Sequence, residues 1–64
     1  MKWTDSLEIA IELSEAHPDI DPRQLRFTDL MQWVLALPDF DDDPAHCGER
    51  ILEAIQQCWI DEIS

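Results

Sequence analysis

The sequence predicts a small all-α domain, and three observations support this class. Apolar residues recur at the helical period in three segments, and no segment has a clear strand pattern. Prolines or a glycine separate these segments. The chain of 64 residues is 45% hydrophobic with three tryptophans, and each tryptophan adds roughly 150 to 250 Å² of buriable surface. We therefore expect one small ordered core and a single domain over residues 1–64.

The first helix is predicted to begin at a capping box, in which Asp5 accepts from the amide three residues later and Glu8 reaches back. Trp3 lies just outside it. The apolar stripe of this helix contains Ile9, Ala10, Leu13 and Ala16, and a separate acidic stripe contains Glu8, Glu12 and Glu15. The helix should end at His17, because the residue before a proline avoids the helical region.

A short helical turn and a second long helix follow. Asp21 and Pro22 supply an N-cap and a proline at the first helical position, which predicts a turn through Leu25. Thr28 is the start signal of the long helix, and Phe27 is placed to pack as a hydrophobic staple. The apolar arc of this helix contains Leu30, Met31, Trp33, Val34 and Leu37, and Pro38 stops it.

The third helix comes after the acidic segment, which we define as Asp39–Asp43 and expect to be a loop with Phe40 as its apolar anchor. The helical period returns from about Cys47 or Gly48. One face then carries Ile51, Leu52, Ile55, Cys58 and Trp59, while Glu49, Glu53, Gln56 and Gln57 lie largely off it.

The net charge of the chain limits the classes of partner that it is expected to bind. Fifteen acidic residues against four basic ones give a formal net charge of −11, which attracts metal ions and basic protein surfaces and repels nucleic acids and anionic membranes. No segment has about 18 consecutive apolar residues, and the start of the chain lacks a signal-peptide pattern. We therefore expect a cytoplasmic protein without a nucleic-acid or membrane partner. The two cysteines, Cys47 and Cys58, are expected to be reduced thiols.

The acidic segment resembles the start of an EF-hand, with Asp39, Asp41 and Asp43 at loop positions one, three and five. The remainder of that template fails, because Pro44 replaces the glycine at position six and Arg50 replaces the glutamate at position twelve. Two alternatives stay open. The carboxylates form a weak, exchangeable site for a hard cation, or they form a solvated loop in which Asp43 and Pro44 make a turn.

Other chemistry has weaker support. His17, His46, Cys47 and Cys58 include the ligand types of zinc, but their spacing is not that of a zinc site, and Cys58 falls on an apolar stripe. No histidine-linked nucleophile with an orienting carboxylate can be placed, which indicates a protein that is not an enzyme. The tripeptide Asp5-Ser6-Leu7 also occurs where acyl carrier proteins attach their prosthetic arm, but only four residues precede it here, so helix capping explains it better.

The sequence as a whole resembles the IscX family, the small acidic proteins of bacterial iron–sulphur cluster assembly operons. The blocks that carry the resemblance cover nearly all positions in order. They are Trp3-Thr4-Asp5-Ser6, Pro18 through Asp21-Pro22, Arg26-Phe27-Thr28-Asp29, Gln32-Trp33, the segment from Asp39 to Pro44, Ile51-Leu52-Glu53-Ala54-Ile55, and Trp59 with Asp61-Glu62. The chain departs from the family at Leu7 and at His46-Cys47-Gly48, which leaves two soft donors beside the acidic segment.

The resemblance implies a modified winged-helix arrangement, binding to the cysteine desulfurase of the assembly system, and weak binding of Fe²⁺ by surface carboxylates, with no tightly bound cofactor. The positions that match the family and are implied in partner binding are Asp5, Asp29, Asp39, Asp41, Asp42, Asp43, Asp61 and Glu62. Those implied in weak iron binding are Asp29, Asp41, Asp42, Asp43, Asp61 and Glu62. The expected role is a monomeric adaptor or regulator, either an iron donor or an iron-dependent modulator of the desulfurase. The alternative is an acidic mimic of nucleic acid that inhibits a DNA-binding protein.

Overall fold

Three α-helices and two 3₁₀ turns make up the protein, and there is no strand. The computed structural model describes residues 1–64. The α-helices are α1 (Ser6–Ala16), α2 (Phe27–Leu35) and α3 (Glu49–Ile63), and the 3₁₀ turns are Pro22–Gln24 and Pro44–His46. The all-α prediction is confirmed. The winged-helix detail stays a prediction. None of the helices combines the length and the apolar character that a membrane crossing requires.

The predicted N-caps of the first two elements are at the right positions, but only one uses its side chain as predicted. Asp5 precedes α1 without a side-chain cap bond. Its Oδ2 instead accepts from the backbone amide of Lys2 at 2.9 Å, so the capping-box bond predicted for Asp5 is wrong. Asp21 does cap the first 3₁₀ turn, because its Oδ1 accepts from the amide of Arg23 at 3.0 Å and Pro22 is the first residue of the turn.

Helix α2 begins earlier than Thr28, the predicted start signal. Arg26 is the N-cap residue, and its carbonyl accepts from the amide of Leu30 at 2.9 Å. Phe27, predicted as a staple residue ahead of the helix, is therefore the first helical residue and is half-buried against the core. The helix ends at Leu35, before Pro38. Leu37, predicted on its apolar arc, therefore lies beyond the helix, although its side chain is buried in the core.

The acidic segment leads into the second 3₁₀ turn rather than into an uninterrupted loop. The Oδ1 atom of Asp43 accepts from the amide of Ala45 at 2.9 Å, which confirms the predicted turn at Asp43 and Pro44. Helix α3 then starts after Gly48, whose carbonyl accepts from the amide of Leu52 at 3.0 Å.

The core consists of ten buried apolar side chains and contains no buried polar or charged residue. Its members are Trp3, Ile9, Ala10, Leu13, Leu30, Val34, Leu37, Leu52, Ile55 and Trp59. Helices α1 and α3 share the most extensive interface. Ala16, predicted on the apolar stripe, is exposed because α1 ends there. Trp3, which precedes every helix, is among the most deeply buried side chains.

Candidate protein-binding surface

The first three residues pack against the acidic segment, and we call this contact the N-terminal clasp. The indole Nε1 of Trp3 donates to the carbonyl of Asp43 at 2.8 Å, and the backbone amide of Trp3 donates to Oδ2 of Asp42 at 3.1 Å. The rings of Trp3 and Phe40 meet edge to face with centroids 4.7 Å apart. A residue predicted to lie outside the helices therefore joins the acidic segment to the core.

Asp42 is the central acceptor of the N-terminal clasp. Besides the Trp3 amide, it accepts from the amide of Asp43 at 2.7 Å, and its Oδ1 lies 2.9 Å from Nδ1 of His46. The hydrogen bond from the Trp3 backbone, followed by that from His46, lowers the pKa of Asp42 to about 2. The same contact raises the pKa of His46, because the Asp42 carboxylate accepts a hydrogen bond from the imidazolium and its negative charge favours the protonated form.

Asp41 is held by two cationic groups of the same chain. Its Oδ1 lies 3.2 Å from Nζ of Lys2 and 3.5 Å from the ammonium of Met1. The hydrogen bond and the charge of Lys2, then the charge of the ammonium, lower the pKa of Asp41. Two of the carboxylates predicted for partner and iron binding, Asp41 and Asp42, thus have partners within the molecule.

The other predicted residues are exposed and form no ion pair with their own chain. Asp29 lies in the first turn of α2, while Asp61 and Glu62 lie near the end of α3. Asp5 bonds the amide of Lys2, and Asp43 caps its turn. Asp39 contributes its backbone carbonyl, which accepts from the Met1 ammonium at 2.6 Å. Their roles in binding stay predictions.

The structure brings together no group of three or more His, Cys, Asp or Glu side chains that is placed to hold a metal ion. The six carboxylates predicted for iron therefore do not fit a preformed chelating site. The zinc ligands considered from the sequence do not converge either. Cys47 and Cys58 are free and half-buried, and burial raises the pKa of the Cys47 thiol, so that thiol is protonated at neutral pH.

Negative charge on this surface is mostly uncompensated. Only three carboxylates, those of Asp21, Asp41 and Asp42, take part in ion pairs. Twelve of the fifteen acidic side chains are thus free of any cationic partner. Surface charges of one sign reinforce each other within a Debye length, about 8 Å at physiological salt. Outside the N-terminal clasp, Asp21 is the one carboxylate with a cationic partner, Arg23, and the other acidic side chains are not neutralised within the molecule.

An open groove of about 370 Å³ lies between the first 3₁₀ turn and α2. Its apolar lining comes from Ile20, Leu25 and Trp33, and its charged lining from Asp19, Asp21, Asp29 and Arg26. Sequence reasoning did not find this groove, although it singled out Asp29. The lining residues come from the segment after α1, the 3₁₀ turn, the residues that follow it, and α2, so no local pattern marks them.

Trp33 is held in the groove by two aromatic neighbours, one directly after α1 and one on α3. Its ring centroid lies 5.1 Å from that of His17, at the end of α1, and 6.2 Å from that of Trp59, on α3. The first 3₁₀ turn is fixed as well, because Nε2 of Gln56 donates to the carbonyl of Pro22 at 2.8 Å. The walls of the groove are therefore attached to the core.

Comparison with known proteins gives a family and a relative. The model of the family described as iron–sulphur cluster assembly matches residues 1–64. The uncharacterized protein PA3808 of Pseudomonas aeruginosa is 58% identical over 62 residues, which cover 97% of this chain and 94% of the relative.

Proposed function

The chain belongs to the iron–sulphur cluster assembly family and takes part in that process, and on this premise we propose that it is an adaptor that binds the cysteine desulfurase through its free carboxylates. This family is the one that the sequence resemblance indicated. The observation that supports the proposal most is the excess of unpaired anionic side chains on a surface with few cations. A partner with a basic patch would remove this imbalance.

The free carboxylates are better placed to meet a partner than those of the N-terminal clasp. Asp41 and Asp42 would have to give up Lys2 and His46 before they accept a new cation. Asp29, Asp61 and Glu62 have no ion pair to lose. We therefore propose that these three residues contribute more to partner binding than Asp41 and Asp42, whose first role is to hold the chain start against the acidic segment.

The binding should depend strongly on salt. An exposed ion pair contributes about 0 to 1 kcal/mol, so affinity requires several pairs together with some apolar contact. The test is titration of the desulfurase at increasing NaCl, from roughly 0.05 to 0.5 M, over which the Debye length falls about threefold. We expect the affinity to fall at least about tenfold. An affinity that stays constant over this range would contradict charge-driven docking.

Paired variants can locate the contact. The double variant D61N/E62Q removes two free carboxylates near the end of α3, and E8Q/E12Q removes two from α1. We expect the first to weaken desulfurase binding by up to about fivefold per charge and the second to weaken it less. Equal losses would indicate a diffuse attraction without a preferred face.

Ferrous iron is the second, weaker part of the proposal. Carboxylate oxygens accept Fe²⁺, but without three converging ligands the ion would bind loosely and exchange. Paramagnetic broadening of amide signals should therefore centre on Asp29, Asp61 and Glu62 rather than on Asp41 and Asp42. Broadening spread evenly over all acidic residues would show that Fe²⁺ is attracted nonspecifically, as a counterion, and would contradict this part of the proposal. Desulfurase added to the iron-loaded protein should reverse the broadening if both use these residues.

The family assignment does not support the alternative function, mimicry of nucleic acid. Capture from a lysate separates the two, since the adaptor proposal predicts recovery of a desulfurase and the mimic predicts a nucleic-acid enzyme. The monomeric state and the cytoplasmic location stay predictions.

A further inference from the structure

We propose that the groove between the first 3₁₀ turn and α2 receives an arginine side chain of the partner protein. The inference deepens the proposed function and rests on it for the identity of the partner, while the groove itself is defined by the structure. The lining combines three apolar side chains with three carboxylates. An arginine side chain matches this lining, because its stem is apolar and its end is a planar cation.

The charge of the groove favours a cationic occupant. Three carboxylates and one guanidinium line it, which leaves two net negative charges. Asp21 is paired with Arg23 through a 3.2 Å contact between Oδ1 and Nε. Asp19 and Asp29 have no ion pair, so their oxygens are available to a guanidinium from outside.

Trp33 supplies the second requirement, an aromatic ring in the lining of the groove. Trp3 and Trp59 are each 1% exposed, whereas Trp33 is only half-buried and lines the groove. A cation over the face of a tryptophan is attracted by the quadrupole of the ring. A guanidinium also stacks on this face as a plane, which an ammonium does not, so we expect arginine to bind more tightly than lysine.

The groove is preformed, which lowers the entropy lost on binding. His17 and Trp59 fix the indole of Trp33, and the bond from Gln56 to Pro22 fixes the 3₁₀ turn. Arg26, the one cation in the lining, forms no ion pair of its own and repels an incoming guanidinium. Its removal should therefore improve binding, an effect that ordinary damage to the fold would not produce.

The first test uses the intact protein and a probe peptide, acetyl-Gly-Arg-Gly-amide, in an NMR titration. Matched peptides carry citrulline, which is neutral, or lysine. We expect saturable shifts of the Trp33 indole N–H and of the Asp19 and Asp29 amides with arginine, weaker ones with lysine, and none with citrulline. Asp29→Asn should weaken arginine binding about fivefold and Arg26→Gln should strengthen it about twofold. The matched control Glu53→Gln, an exposed carboxylate on α3, should change it less than twofold.

Equal shifts with citrulline, or equal effects of Asp29→Asn and Glu53→Gln, would overturn the groove proposal. The same two variants are then titrated against the desulfurase. If wild type binds and both variants bind alike, the groove proposal fails while the proposed function stands. If the arginine peptide binds in the groove but wild type does not bind the desulfurase, the proposed function fails and the groove remains a site for an arginine of another protein.

Discussion

Replacement of Trp3 by phenylalanine tests whether the N-terminal clasp holds the fold together. The indole is 1% exposed, donates from Nε1 to the carbonyl of Asp43 at 2.8 Å, and contacts the ring of Phe40. Loss of the hydrogen bond costs about 0.5 to 1.5 kcal/mol. Loss of the second ring removes about two buried carbon groups, or about 1.5 kcal/mol. Together these predict a destabilisation of about 2 to 3 kcal/mol.

This loss is large for a chain of 64 residues, since total stability is about 0.05 to 0.15 kcal/mol per residue. The melting temperature should fall by about 10 to 20 °C. Urea unfolding followed by far-UV circular dichroism measures the change without relying on tryptophan emission. The control is Leu7→Ala on α1, where the side chain is 58% exposed and the loss should stay below about 0.5 kcal/mol. A loss for Trp3→Phe no larger than that of the control would refute the clasp.

Two further predictions concern the residues around the acidic segment. Because Asp42 raises the pKa of His46 above 6.5, Asp42→Asn should return the imidazole midpoint toward 6.5 in an NMR titration, and an unchanged midpoint would contradict the pairing. The stabilisation by this pair is fully present below pH 6.5 and is lost as pH rises through the folded pKa of His46. At the acid end, the contribution of Asp42 is lost as pH falls from 3.8 toward about 2. Gly48 has extended backbone (φ −143°), and no atom lies within 4 Å of a Cβ added there. Gly48→Ser should therefore be tolerated and should stabilise the protein by about 0.5 kcal/mol, because serine is a better N-cap residue. Urea unfolding midpoints measure this change, and a loss of stability would contradict the prediction.

The helices could be predicted because the residues that specify a helix lie close together in the sequence. Leu30 and Val34 recur at the helical period and Pro38 lies beyond the helix end, so the core face of the second helix was predicted correctly. Its start was misplaced because Thr28 is a favoured capping residue, while the actual cap, Arg26, contributes backbone alone. No sequence pattern predicted the burial of Trp3, because a single apolar residue ahead of the first helix is not part of a helical spacing of apolar residues.

The candidate surface was only partly predictable because its geometry depends on distant parts of the chain. The excess of acid and the position of Asp29 can be read from the sequence. The partners of Asp41 and Asp42 cannot, because Met1 and Trp3 lie 39 to 40 residues away. The groove likewise requires the arrangement of a 3₁₀ turn against α2, which no pattern of single residues specifies.

The unequal burial of the three tryptophans gives the molecule a built-in optical reporter. Two indoles are sealed in the interior, and the third lies open at the groove. A small neutral quencher such as acrylamide should reach the open indole first, so the quenchable part of the fluorescence measures access to Trp33. Protection of that part by a bound protein would reveal an occupied groove without any added dye.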